Sequence, residues 1–114
     1  MPHFIIDCSA DTITLKSPKA LIQCVYDAAE ATQLFEEGDI KVRIHPFKHF
    51  TVGNTKDDFI HIFANIMEGR TEEEKGDLSR QIVSKLMQLL PEVSIISMNI
   101  RDFEKSSYCN KSMV

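Results

Sequence analysis

The feature that most constrains this chain is one order of elements written twice: strand, helix, strand, then strand, helix, strand. Residues 3–8 form a dense apolar run, with Phe4, Ile6 and Cys8 on one face and His3, Ile5 and Asp7 on the other. Ser17-Pro18 starts a helix. Serine serves as N-cap, and proline takes the first helical position, where its missing N–H costs nothing. Leu21, Ile22, Val25, Ala28 and Ala29 then recur at helical spacing; the helix is expected to fade near Phe35, with Gly38 ending the turn. Ile40 to His45 alternates strictly, placing Ile40, Val42 and Ile44 on one face and Lys41, Arg43 and His45 on the other. Pro46 is expected to end that strand's hydrogen bonding.

The second block repeats the pattern. Phe59 to Met67 is a strand with Ile60, Ile62, Ala64 and Ile66 on one face and Phe59 and Phe63 on the other. Thr71 and Glu74 form a capping box, and Glu72, Glu73 and Glu74 fill a first turn where the helix dipole favours acids. Leu78, Ile82, Leu86 and Leu89 make the apolar stripe, Pro91 stops it, and Val93 to Ile100 reads as the fourth strand. Between these elements, Ser9 to Lys16 reads as a polar connection. Gly53-Asn54 marks a turn beside a short extra strand near Phe50 to Val52, and the tail from Arg101 has no period.

Each block is long enough for one right-handed crossover. The expected fold is α+β: one domain over residues 1–114, with pseudo-repeats of about 1–57 and 58–114, forming a four-stranded sheet with two helices on one face. Aligning residue 2 with residue 60 sets Thr12 against Arg70 and Arg43 against Arg101. The other sheet face is left bare. The strand at 59–67 carries large apolar residues on both sides, so burial against other subunits is expected.

Charge and composition narrow the function. A net charge of −4 argues against a nucleic-acid partner. No apolar run approaches a membrane span, and no signal peptide is visible. Cys8, Cys24 and Cys109 are odd in number and widely spaced, which suits the cytoplasm rather than a disulfide framework. His45 and His49 flank Pro46 with no carboxylate to complete a set, so no metal is expected. No nucleophile triad or phosphate-binding glycine loop is present.

Three groups remain for chemistry. If Met1 is removed, Pro2 carries a free secondary amine at the lip of the sheet, and desolvation and nearby cations suit such an amine to act as a base. Arg70 lies just outside the second helix's N-cap and can hold a carboxylate bidentately. Lys41 and Arg43 share one strand face and invite an anionic ligand.

Pro2 opening a strand, Glu68-Gly69-Arg70-Thr71 leading into an acidic helix start, and Lys41-Val42-Arg43-Ile44-His45 together resemble the tautomerase superfamily, and within it the 5-carboxymethyl-2-hydroxymuconate isomerases. The resemblance implies a homotrimer, no cofactor, and an N-terminal proline base. Arg70 would bind a substrate carboxylate. Lys41 stands where that family usually has arginine, and Arg43 matches its next cation. The implied reaction is a proton shift in a small anionic, unsaturated 2-hydroxy polycarboxylate. Phenylpyruvate-type keto–enol exchange and a non-catalytic oligomeric module are the alternatives.

Overall fold

The computed structural model describes residues 1–114. Its main elements are β1 (His3–Ser9), α1 (Thr12–Leu15), α2 (Pro18–Ala31), β2 (Lys41–Phe47), β3 (Phe59–Met67), α3 (Glu72–Leu89) and β4 (Ile95–Phe103). The sheet order is β2-β1-β3-β4. β1 runs parallel to β2, and β3 runs parallel to β4. The two units meet through an antiparallel pairing of β1 with β3, in which Phe4 faces Ala64 and Ile6 faces Ile62. This is the expected duplicated β-α-β architecture.

Alternation explains the core. Phe4, Ile6 and Cys8 of β1 and Ile60, Ile62 and Ala64 of β3 all point to one face and are buried. There they meet Leu21, Val25, Ala28 and Ala29 of α2 and Leu78, Ile82 and Leu86 of α3, the i, i+4 stripes of the two helices. Both helices begin as their sequences require. Ser17 accepts the Ala20 amide at N–O 3.1 Å. Thr71 and Glu74 close a reciprocal box at 3.1 and 2.9 Å.

Several boundaries differ from expectation, each for a local reason. The polar connection contains the single turn α1. It is anchored by a buried Ser9–Thr12 hydroxyl contact of 2.7 Å, and Ser9 also donates to Asp58 at 2.8 Å. α2 ends at Ala31, before Phe35. The Thr32 hydroxyl takes the Ala29 carbonyl at 2.6 Å, and Gln33 turns left-handed at φ 60°. β2 continues through Pro46 to Phe47 because it lies at the sheet edge, where a missing N–H is tolerated. The extra strand near Phe50 reduces to a single bridge between Val52 and Thr55. β4 begins at Ile95, after the buried Val93 has closed the preceding loop. The two helix N-caps, Ser17 and Thr71, are equivalent, so Arg70 corresponds to Lys16 rather than to Thr12. The extra turn α1 in the first unit is what moves the alignment.

The opposite sheet face has no helix over it. It presents Ile5, Phe59, Phe63 and Ile95 among Lys41, Arg43, His45 and His61. His61 fills its polar needs within the sheet, with Nδ1 2.7 Å from the Ser97 hydroxyl and Nε2 2.6 Å from the Asn99 amide oxygen. No helix is long and apolar enough to cross a membrane.

The capping box gives a direct stability test. Thr71→Ala removes the acceptor for the Glu74 amide and should cost about 0.5–2 kcal/mol in denaturant unfolding, while Thr71→Ser should cost much less.

Candidate active site

β1 starts at one end of the sheet, beside the start of β2. The Lys41 amide donates to the Pro2 carbonyl at 3.1 Å, so the chain terminus is tied to the edge strand. β3 runs the other way and therefore ends where β1 begins, with His3 opposite Asn65. Gly69 then turns at φ 124°, a conformation an L-residue adopts only under strain, and delivers Arg70 to the same end. The segment after α2 closes over the top.

These parts enclose a cavity of about 480 Å³. Met1, Pro2, Leu34, Phe35 and Arg70 line it together with Glu30, Gln33, Glu36, Glu37 and Asp39. Arg70 is held firmly. Its Nη2 donates to the Leu34 carbonyl at 2.6 Å and its Nη1 to the Met67 carbonyl at 3.3 Å. The guanidinium carbon lies 5.0 Å from the Phe35 ring centre, a cation–π contact, and Phe35 in turn meets Phe4 edge-on at 6.0 Å.

The expected N-terminal proline base does not hold in this structure. Met1 precedes Pro2, so the Pro2 nitrogen belongs to a peptide bond. An amide nitrogen gives its lone pair to the carbonyl and cannot take up a proton near neutral pH. The free amine at this end of the sheet is that of Met1. Burial pushes its pKa below the ordinary α-amino range. The Asp39 carboxylate opposes that shift, and Arg70 and Lys41 add to it.

The three other residues singled out in the sequence separate. Arg70 shares the cavity with Met1 and Pro2. Lys41 sits at its edge, donating to the Asp39 carbonyl at 3.0 Å and lying 3.9 Å from the Met1 sulfur. Arg43 turns to the open sheet face, where Nη1 is 3.2 Å from His3 Nδ1, in a second cavity that also includes Asn65, Phe103 and Tyr108. Because arginine only donates, His3 accepts through Nδ1. Burial, then Arg43, Lys41 and the terminal amine, hold the His3 pKa below its usual value. Phe35, Asp39 and the Leu34 carbonyl, which join the site, carry no signal in the sequence. All three belong to the 32–40 connection, which has no periodicity to place it. No three His, Cys, Asp or Glu side chains converge to hold a metal ion.

An amine with a lowered pKa beside a guanidinium can accept a proton near neutral pH and return it, while the cation stabilises the anion left behind. The same geometry predicts how that amine titrates. Arg70→Gln removes a cation and should raise its pKa; Asp39→Asn removes an opposing carboxylate and should lower it. Titration of ¹⁵N-labelled Met1 by NMR checks both signs, and matching shifts in the two variants would refute the electrostatic account.

Comparison with known proteins agrees with the fold. A 5-carboxymethyl-2-hydroxymuconate isomerase from Deinococcus radiodurans R1 superposes with a TM-score of 0.82 at 20% identity, over 96% of this chain and 88% of that one. The structure of Pt0534 inactivated by 2-oxo-3-pentynoate gives 0.81 at 17% identity, over 98% and 94%. A fused 4-OT described as a symmetric trimer gives 0.81 at 18% identity, over 98% and 95%. No curated protein sequence matches the chain. Residues 2–113 match the family model of 5-carboxymethyl-2-hydroxymuconate isomerase, and the chain therefore belongs to that family of tautomerase-superfamily isomerases.

Proposed function

We propose that the cavity at the chain terminus shifts a proton in a 2-hydroxydienoate of the hydroxymuconate type, without a cofactor. The supporting observation is convergence: Met1 with its terminal amine and Arg70 line one cavity, with Lys41 bonded to the Asp39 carbonyl at its edge, in a chain of this family. The unprotonated Met1 amine takes the proton of the enol hydroxyl. The oxygen's electron pair forms the 2-keto group, the double bonds shift along the chain, and a distal carbon takes the proton back from the ammonium. Arg70 exchanges its bond to the Leu34 carbonyl for the substrate carboxylate and, with Lys41, stabilises the dienolate. Arg43, bonded to His3 on the open face, lies outside this cavity.

The working form is a homotrimer in the cytoplasm. A face carrying Phe63 and Ile95, each more than a third exposed, supports an assembly that covers it. With a subunit mass of 13.0 kDa, sedimentation should give about 39 kDa, and a stable monomer at micromolar concentration would refute the trimer.

Dienol turnover, followed by ultraviolet absorbance, tests the chemistry. Carbamylating the terminal amine with cyanate, verified by intact mass, should abolish it. Full activity after carbamylation would overturn the amine's role. The base form grows as pH rises, so kcat/KM should increase through an apparent pKa below about 7.7–8.0, the unperturbed α-amino value. Arg70→Ala should lower kcat/KM by about 1.5–3 kcal/mol, the range for a charged hydrogen bond. Circular dichroism of the variant separates that loss from unfolding.

A further inference from the structure

A ligand carboxylate that takes Arg70 must displace its shortest bond, from Nη2 to the Leu34 carbonyl at 2.6 Å. Two contacts then remain on the guanidinium. One is the Nη1 bond to the Met67 carbonyl, at 3.3 Å just beyond the usual N–H···O range. The other is the Phe35 ring, 5.0 Å from the guanidinium carbon. Arginine has many rotamers to lose, and one stretched bond alone leaves it loose. The ring contact coexists with both carbonyl bonds, so it does not compete for the N–H groups a ligand would use. Phe35 is itself braced. Its half-buried ring meets the ring of Phe4 edge-on, at 6.0 Å and 76°. Phe4 is fully buried in the core on β1, the strand that Met1 and Pro2 lead into. A line of contacts from Phe4 to Phe35 to Arg70 therefore ties the cation to the strand that carries the amine.

We infer that Phe35 is a positioning residue: its ring, braced on Phe4, keeps the Arg70 guanidinium beside the terminal amine while a ligand carboxylate replaces the Leu34 carbonyl. The inference rests on the proposed site and adds the group that holds its cation in place. What matters is the aromatic face as well as the bulk. The ring quadrupole attracts the cation, and it does so more strongly where water is excluded. Leucine at position 35 would fill much of the volume without that face, whereas tyrosine would keep it. Losing the face should weaken carboxylate binding, and lower kcat/KM for the proton shift, by about threefold to thirtyfold. Phe35→Tyr should stay within about twofold of the wild type.

The experiment is NMR of the assembled protein, wild type and variants, with and without 2-oxohexanoate, a saturated 2-oxo acid whose binding is read apart from dienol turnover. In the wild type, the Arg70 side-chain protons should be shifted upfield by the Phe35 ring current and stay so when the ligand binds. That shift should survive in Phe35→Tyr and vanish in Phe35→Leu. Phe35→Leu also loses packing against Phe4, so a double-mutant cycle separates the two effects. Because Arg70 lowers the pKa of the Met1 amine, freeing the guanidinium should raise it. Phe35→Leu should therefore raise that pKa in the wild-type background and leave it unmoved in the Arg70→Gln background. A wild-type ring-current shift that is absent or lost on ligand binding overturns the inference. So does an equal effect of Phe35→Leu on the amine in both backgrounds, which would make Phe35 a packing residue only. If no dienol turns over while the ring-current shift and the cycle come out as expected, the isomerase reading of the site fails and the role of Phe35 stands.

Discussion

The antiparallel pairing of β1 with β3 is the constraint on which the rest of this molecule depends. It joins two parallel β-α-β units into one sheet, and its register points Phe4, Ile6, Ile60 and Ile62 to the same side. Only then can α2 and α3 bury their stripes against a common surface. A one-residue slip would turn those four side chains to the open face and remove the core. The same pairing has a chemical consequence. Because the strands run in opposite directions, the start of β1 and the end of β3 come together, and Arg70 reaches the chain terminus without any long loop to carry it there.

At that terminus the influences on the amine oppose one another. Burial and two cations disfavour the protonated amine, and Asp39 restores part of its basicity. A base needs such a balance. An amine pushed too low accepts protons weakly, and one left high stays protonated. Arg70 meets a similar compromise. Bonds to Leu34 and Met67 hold it in place for a ligand, yet a ligand must compete with the shorter of the two.

Much of the fold was legible because it rests on periodicity and caps. The alternation of β3, the stripes of α2 and α3, and the Thr71–Glu74 box appear in the structure as read. The position of Arg70, directly before a helix start, was legible for the same reason, since a cap fixes what precedes it. The failures have physical sources. Proline at position 2 suggested a terminal secondary amine, but Met1 acylates it here. Pro46 suggested a strand end, but an edge position removes the penalty. Lys41 and Arg43 share a strand face as alternation requires, yet their long side chains go to different neighbours, Asp39 and His3. The place of Glu36, Glu37 and Asp39 in the cavity lining was invisible because it depends on the left-handed turn at Gln33 and the irregular path that follows.

The proposed proton shift requires the substrate carboxylate to bind Arg70 beside the terminal amine. A crystal structure of the assembled protein with 2-oxohexanoate tests it most directly. The expected result is the carboxylate on the Arg70 guanidinium, the bond to the Leu34 carbonyl broken, and the 2-keto group facing the amine. A ligand seated instead on Arg43 and Tyr108 of the open sheet face, with the Arg70–Leu34 bond intact, would contradict it.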